Sequence, residues 1–381
     1  MRSLALLLLL GCPSTGSEVV DAALNDAAAA DTGHDAGVVA RMDAALTEDA
    51  SPRDAAISDV DAAPEDERIA IFVAYGHAAR TLTSCDGRSW SAEHSFESDG
   101  HDHSAYSGLG RMAYGDAGFV ACAGWGNPTR IIVSADGVNW DEIPDGPDGN
   151  FTTESGAPFA HEKGCGGIAW DGTRYAFLSR RRLWTSVDAR TWVRHPVDAF
   201  DVRAFGGGDG LLVGGNENYM NLSEDGGETW RPAGEGYDLR CGAGVQRGGG
   251  ILVDGDQVLI TGRDGHVCVS QDRGQTFDHV SVAGGMRSMI WTGDEFVGVA
   301  GDRIHRSNDG LTWRSETHDA PDLAALAYRD DTGFVAVARD AQRFFRSDDA
   351  TTWLSAASDG VDDDYLWVIV PGFGPSEVCE R

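Results

Sequence analysis

Seven copies of one short pattern constrain this chain more than anything else in it. The fullest are Ser223-Glu224-Asp225-Gly226-Gly227-Glu228-Thr229-Trp230 and Ser270-Gln271-Asp272-Arg273-Gly274-Gln275-Thr276-Phe277, both Ser-x-Asp-x-Gly-x-Thr-aromatic. Five copies one residue shorter run from Ser84 to Trp90, Ser134 to Trp140, Ser186 to Trp192, Ser307 to Trp313 and Ser347 to Trp353. The aspartates fall at Asp86, Asp136, Asp188, Asp225, Asp272, Asp309 and Asp349, at spacings of 50, 52, 37, 47, 37 and 40. A period near forty that holds four short strands is that of a propeller blade.

The stretch from Ser288 to Gly301 shows the unit. An apolar strand runs to Trp291, Thr292-Gly293-Asp294 turns, and Phe296 to Ala300 makes a second strand. Arg303 to Ser307 forms a third that enters the aspartate turn, and Trp313 opens a fourth. Apolar and polar residues alternate as half-buried strands require. The same order returns around Met112, Ile168, Ile251 and Leu326. The first unit is incomplete: Ile69 to Tyr75 matches a second strand, with no inner strand before it. After the seventh turn one apolar strand is left over, Asp364 to Val370. It is expected to supply the missing inner strand, closing an all-β, seven-bladed ring without exposed edges.

Each aspartate can accept hydrogen bonds from the N–H groups of its own turn, and the aromatic can pack back into the blade. These roles are structural. The motif resembles the Asp-box, the bacterial neuraminidase repeat of sialidases, Asp-box xyloglucanases, sortilin-type receptors and photosystem II assembly factors. The match covers Arg68 to about Pro371. The sialidase resemblance implies an Arg-Ile-Pro element, an acid/base aspartate and a Tyr–Glu nucleophile pair on six blades. Arg68-Ile69-Ala70 lacks the proline, and Tyr365 has no assignable glutamate. Asp-box xyloglucanases use two facing propellers. In blade number the resemblance is to the assembly-factor and sortilin-like group, which bind proteins.

Met1-Arg2 and the apolar run Leu4 to Leu10 make a short export signal, too brief to span a bilayer. Its end, Leu9-Leu10-Gly11-Cys12, resembles a bacterial lipoprotein signal, which implies lipidation of Cys12; an ordinary secretory signal with a chance cysteine is the alternative. Pro13, where an aspartate would favour the inner membrane, points to the outer one. Residues 13 to 66 are rich in Ala and Asp without aromatics. They read as a disordered, self-repelling tether, or else as a transient Ala-rich helix. The expected organisation is therefore 1–11 signal peptide, 12–66 tether and 67–381 propeller. A net charge of −31 with a single lysine, Lys163, argues against nucleic acid.

An exported chain can oxidise its cysteines. Cys85 lies in the first aspartate turn and Cys379 a few residues past the closing strand, so the two are expected to staple the ring. Cys165 and Cys241 both fall between blades and could pair. Cys122 and Cys268 sit within strands and read as buried thiols. No spacing suggests zinc.

Strand order puts the aspartate turns on one face of the ring. Ligands of propellers usually meet the other face, where Ser91 to Gly110, Asp141 to Gly167 and Arg231 to Gly250 make long loops. His101-Asp102-His103, His161-Glu162 and His318-Asp319 lie in such loops and are either transition-metal ligands or solvated polar residues. Arg111, Arg203 and Arg287 open inner strands in alternate blades. They either converge on a carboxylate, as sialidases do, or form channel salt bridges with the many aspartates. Arg180-Arg181-Arg182, Trp125 and Tyr219 sit between second and third strands and could contact a protein or glycan. No metal site and no cofactor are expected. The expected function is a monomeric, lipid-anchored, non-catalytic module that binds an envelope protein or glycan, periplasmic or surface-facing, meeting the membrane only through its anchor. The alternative is a sialidase-like exo-glycoside hydrolase acting on an acidic sugar.

Overall fold

The computed structural model describes residues 68–76, 79–94, 111–123, 130–143, 165–179, 182–195, 204–216, 218–243, 250–262, 265–338, 343–358 and 366–380. They form seven sheets, antiparallel but for one added edge strand, arranged as a seven-bladed β-propeller. Blade one holds β1 (Arg68–Gly76), β2 (Thr81–Ser84) and β3 (Ser89–His94). Blade two holds β4 (Arg111–Gly115), β5 (Gly118–Ala123), β6 (Arg130–Ser134) and β7 (Asp141–Glu142). Blade three runs β8 (Cys165–Trp170), β9 (Tyr175–Ser179), β10 (Arg182–Ser186) and β11 (Val193–His195). Blade four runs β12 (Ala204–Gly208), β13 (Leu211–Asn216), β14 (Tyr219–Ser223) and β15 (Arg231–Pro232), followed by the short helix α1 (Leu239–Ala243). Blade five is β16 (Ile251–Asp254), β17 (Gln257–Thr261), β18 (His266–Ser270) and β19 (Asp278–Ser281). Blade six is β20 (Ser288–Trp291), β21 (Phe296–Ala300), β22 (Arg303–Ser307) and β23 (Arg314–Thr317). Blade seven is β24 (Leu323–Arg329), β25 (Gly333–Ala338), β26 (Phe344–Ser347) and β27 (Leu354–Ser355), after which come β28 (Ala357–Ser358) and β29 (Leu366–Pro375).

The ring closes as the sequence leads one to expect, with an addition. β29 pairs with β1 from Arg68↔Pro375 to Gly76↔Leu366 and is the inner strand of blade one. β28 adds, in parallel, to the outer edge of the same blade at Ala357↔Ser89 and Ser358↔Trp90. The carboxy-terminal chain thus grips blade one on both flanks, making it five-stranded. The Cys85–Cys379 disulfide then ties the helical turn after β29 to the first aspartate turn, across 294 residues of sequence.

Burial corrects the expectation of alternating strands. Second strands are buried on both sides, as in β13 (Leu-Leu-Val-Gly-Gly-Asn) and β21 (Phe-Val-Gly-Val-Ala), whereas the outer β23 (Arg-Ser-Glu-Thr) is exposed throughout. Blades stack face against face, so a middle strand sees no water and reads as a continuous apolar run. The core accordingly lies between blades rather than inside them. The motif aromatic is the wedge that fills this space. Each one packs on the preceding blade: Trp192 joins Val120, Ile131 and Val133 of blade two, Phe277 joins Leu211 and Val213 of blade four, and Trp353 joins Val297 and Ile304 of blade six. Trp90 of blade one stacks on Phe344 of blade seven, ring centroids 3.8 Å apart. These large apolar contacts carry the interblade stabilisation, since burial of apolar surface is the dominant favourable term in folding.

The turn itself is a compact hydrogen-bonded knot. Ser270 Oγ donates to Asp272 Oδ1 at 2.7 Å and accepts from Gly274 N–H at 2.7 Å. Asp272 accepts from the N–H and hydroxyl of Thr276 at 2.8 and 2.6 Å. In the Ser223 copy the Trp230 indole N–H donates to the Gly227 carbonyl at 3.1 Å. Gly227 has a φ of +96°, and a Cβ on it would stand 1.9 Å from Leu183 Cδ2 of the neighbouring blade, so no other residue fits there.

Two cysteine expectations are overturned. Cys241 pairs with Cys268, Cα–Cα 5.8 Å, and not with Cys165, whose side chain lies outside the described residues. Cys268 is therefore no free thiol, and neither is Cys122, which is also disulfide-bonded. The physical reason is α1. It folds back onto β14, β17 and β18 and carries Cys241 to a strand that the linear sequence placed far from it.

Candidate functional site

Inner strands all run in one sense, from the face opposite the aspartate turns toward that face. They surround a central cavity of about 450 Å³ to which all seven blades contribute. Its wall is built from the free backbone edges of the inner strands and from mostly short or apolar side chains. Ala113, Ala169, Gly206, Gly207 and Ala325 keep it open, and Trp170, Phe205, Ile251, Met289 and Ile290 line it with apolar surface. Glycine and alanine at these positions leave room where seven strands converge on one axis.

The charged residues on this wall, among the described residues, are Arg111 and Arg287; no aspartate or glutamate lines it. Their settings differ. Arg287 Nη1 reaches Asp322 Oδ2 at 2.5 Å, and its own N–H donates to Val299 O at 2.8 Å. Arg111, the first residue of β4, pairs with Cys122 of β5 through its backbone, but its guanidinium has no hydrogen-bond or ion-pair partner among the described residues. Burial pushes its guanidinium below the ordinary arginine value, because desolvation disfavours the charged form and no anion opposes that effect. Tyr114, two positions beyond Met112 on the same strand, is pushed upward, first by burial.

The structure brings together two of the three arginines read from the sequence; Arg203 lies outside the described residues, as do His101, His103, His161, Trp125 and Cys12. Tyr219 is not a loop residue. It opens β14 and is half-buried against Leu178, Leu183 and Leu212, so its ring is engaged in the packing of blades three and four. His318 is buried with neither ring nitrogen hydrogen-bonded, its ring edge-on to Trp353 at 6.4 Å, and desolvation lowers its pKa. Asp319 beside it accepts the Trp353 N–H at 2.9 Å, so this pair is not poised as metal ligands. Among the described residues no group of three or more His, Cys, Asp or Glu is placed to hold a metal. The seven aspartates all lie on the opposite face, bound into their turns, as in Asp136 with Val138 N–H and Asp349 with Thr352 N–H.

Sequence reasoning missed the apolar half of the cavity. Trp170, Phe205, Ile251 and Met289 could have been found by counting back from each aspartate turn to the inner strand of its blade, the count that picked out the arginines.

No family model matches the chain, and no curated protein matches it. Among solved structures it is similar to YCF48 bound to D1 peptide, at 14% identity over 64% of this chain and 79% of that one, with a TM-score of 0.48. It is also similar to apo AztD from Citrobacter koseri, at 12% identity over 80% of this chain and 98% of that one, TM-score 0.47. The GH74 enzyme of Niastella koreensis is 14% identical over 62% of this chain and 35% of that one, TM-score 0.45. These are likenesses of propeller architecture among proteins of diverse activity and carry nothing about ligand or reaction.

Proposed function

We propose that this chain is an exported, lipid-anchored Asp-box propeller that binds a protein or glycan of the cell envelope without transforming it. The observation that carries the reading is the make-up of the cavity wall: two arginines, apolar rings and backbone edges, with no carboxylate among its described residues. Glycoside cleavage with two carboxylates needs them roughly 5–10 Å apart across the scissile bond. A wall that offers cations and apolar surface is suited to holding a ligand. The anchor rests on Leu9-Leu10-Gly11-Cys12 alone, and the tether on the Ala/Asp composition of residues 13 to 66.

One observation favours the hydrolase alternative: Arg111 and Arg287 share the cavity, as two members of a carboxylate-holding arginine set would. The deciding experiment sets binding against turnover. The full-length protein is expected to retain material from a glycan array or an envelope extract, and to leave a panel of fluorogenic sialosides and other acidic glycosides uncleaved. Turnover that disappears in Arg111→Gln and Arg287→Gln variants would sink the binding reading. For the anchor, metabolic labelling with an alkyne fatty acid should mark the wild type and not Cys12→Ala.

A further inference from the structure

Three other enclosed arginines are held by partners, although Arg194, part-buried like Arg111, also leaves its Nε without one. Arg306, 12% exposed, binds Glu295 and the Asp349 carbonyl. Arg329, 11% exposed, donates to the carbonyls of Ala70 and Cys85. Arg346, 13% exposed, donates to the Thr332 carbonyl at 2.7 Å. The chain carries 61 acidic residues against 30 Lys and Arg, so a carboxylate for every base was at hand. Arg287, on the same wall, has taken one. An enclosed charge without a partner is costly, and a fold rich in aspartate that leaves one uncompensated leaves it for something that arrives from outside.

The surroundings of Arg111 narrow what arrives. After Arg287 is neutralised by Asp322, the described residues of the wall present one net positive charge. That charge balances a monoanion, whereas a phosphate dianion would bring a second, unmatched charge into an apolar enclosure. A guanidinium offers two parallel N–H donors, which a planar carboxylate accepts in bidentate fashion. The rest of the contact surface is the Trp170 and Phe205 rings with Ile251, Met289 and Ile290, which favours an apolar body over a sugar. A volume of about 450 Å³ lies within the range of small-molecule sites, about 300–1,000 Å³. We propose that the central cavity binds an organic monocarboxylate with a compact apolar body, its carboxylate clasped by Arg111. The proposal rests on the non-catalytic reading of this cavity and assigns it a small ligand of its own, distinct from the envelope protein or glycan.

The probe is 4-fluorobenzoate, followed by fluorine NMR line broadening with the full-length protein, alongside neutral 4-fluorobenzamide and dianionic 4-fluorophenyl phosphate. The benzoate is expected to broaden, and the amide and phosphate much less. Arg111→Gln should weaken benzoate binding roughly tenfold or more, the usual effect of removing a charged hydrogen-bond partner. The same variant should melt at the wild-type temperature or above it, because it removes an uncompensated charge; a purely structural arginine would lower the melting temperature when lost. Arg111→Lys, which keeps the charge without the fork, should bind benzoate more weakly than wild type and still prefer it to the amide. Absence of broadening with wild type, equal binding of the amide, or a fall in the melting temperature of Arg111→Gln each overturns the proposal. If benzoate fails while glycan or envelope capture by wild type and Arg111→Gln is equal, the carboxylate site is wrong and the binding module stands. If wild type captures nothing as well, both fall.

Discussion

The two ends of the ring use arginine in opposite ways. On the aspartate-turn face arginines are latches between blades. Arg231 of blade four donates to the Gly274 carbonyl of blade five at 3.0 Å, and Arg273 of blade five returns to the Asp209 carbonyl of blade four at 3.1 Å. Arg306 of blade six reaches the Asp349 carbonyl, and Arg329 of blade seven the Ala70 and Cys85 carbonyls of blade one. Near the start of the inner strands, the Arg111 guanidinium faces a cavity with no partner among the described residues. An interblade seam needs several donors held in a fixed fork, which lysine does not provide, and the chain has one lysine in all. The lesson is that one face is organised for rigidity and the other retains unsatisfied chemistry, and function is expected where satisfaction is incomplete.

The largest test of that contrast is the staple. Cys85–Cys379 closes 294 residues and Cys241–Cys268 closes 27. In the chain-entropy account, losing the first costs about 6 kcal/mol and losing the second about 3–4 kcal/mol. Denaturation midpoints of Cys379→Ser and Cys268→Ser under non-reducing conditions should fall in that order. The reverse order would mean that β28 and β29 hold the closure without help from the disulfide.

Next comes a change of sign between two arginines. Arg329 makes two backbone hydrogen bonds, at 2.8 and 3.0 Å, and lies over the Phe72 ring at 4.9 Å. Arg329→Gln should cost about 2–3 kcal/mol, from charged hydrogen bonds and the cation–π contact. Arg111→Gln, by contrast, should cost nothing. If both variants destabilise equally, as read by chemical denaturation, the distinction between the two faces disappears.

Smaller again is the contribution of one turn aspartate. The hydroxyl and N–H of Thr276 hold the Asp272 carboxyl down at about 2. An unfolded aspartate titrates near about 3.9. The folded value is the lower one, so the ionised form favours folding above about pH 4, and that stability is lost as pH falls from about 4 to about 2. Asp272→Asn should cost about 1 kcal/mol at neutral pH, the net worth of a hydrogen bond. Its melting curve should also fall less steeply than that of the wild type between those pH values, with the two converging at the acid end. A gap that persists unchanged at pH 2 would show that the carboxylate charge contributes nothing to the turn.

The seven blades and their closure were legible because the aspartate turn is local: its serine, aspartate and aromatic lie within eight residues and repeat at blade spacing. What escaped depended on contacts between distant segments. The sequence of Trp192 does not say that its ring belongs to the core of blade two. Leu-Arg-Cys-Gly-Ala of α1 is too short to show a helical period, so the pairing of Cys241 could not be read. β28 has two residues and no pattern at all. In the cavity, Arg111 and Arg287 were found by position on their strands. That one is neutralised and the other is not depends on Asp322, which approaches from the next blade.

The smallest effect concerns the turn's own backbone. The residue third after the motif serine adopts positive φ in the short copies. It is glycine at Gly87, Gly137 and Gly310 but alanine at Ala189 and Ala350, with φ of 60° and 58°. A left-handed alanine costs roughly 1–2 kcal/mol. Both alanines are nonetheless buried in interblade clusters, Ala189 at 2% and Ala350 at 0% exposure, where a methyl contributes roughly 0.8 kcal/mol. Glycine would relieve the strain, lose the methyl and loosen the unfolded chain, the last costing about 0.4–1 kcal/mol. The three terms nearly cancel, so Ala189→Gly should change stability by less than about 0.5 kcal/mol in chemical denaturation. A loss well above 1 kcal/mol would show that the methyl, wedged between Trp192 and blade two, matters more than the strain. The aspartate-turn face would then be organised by packing first and by hydrogen bonds second.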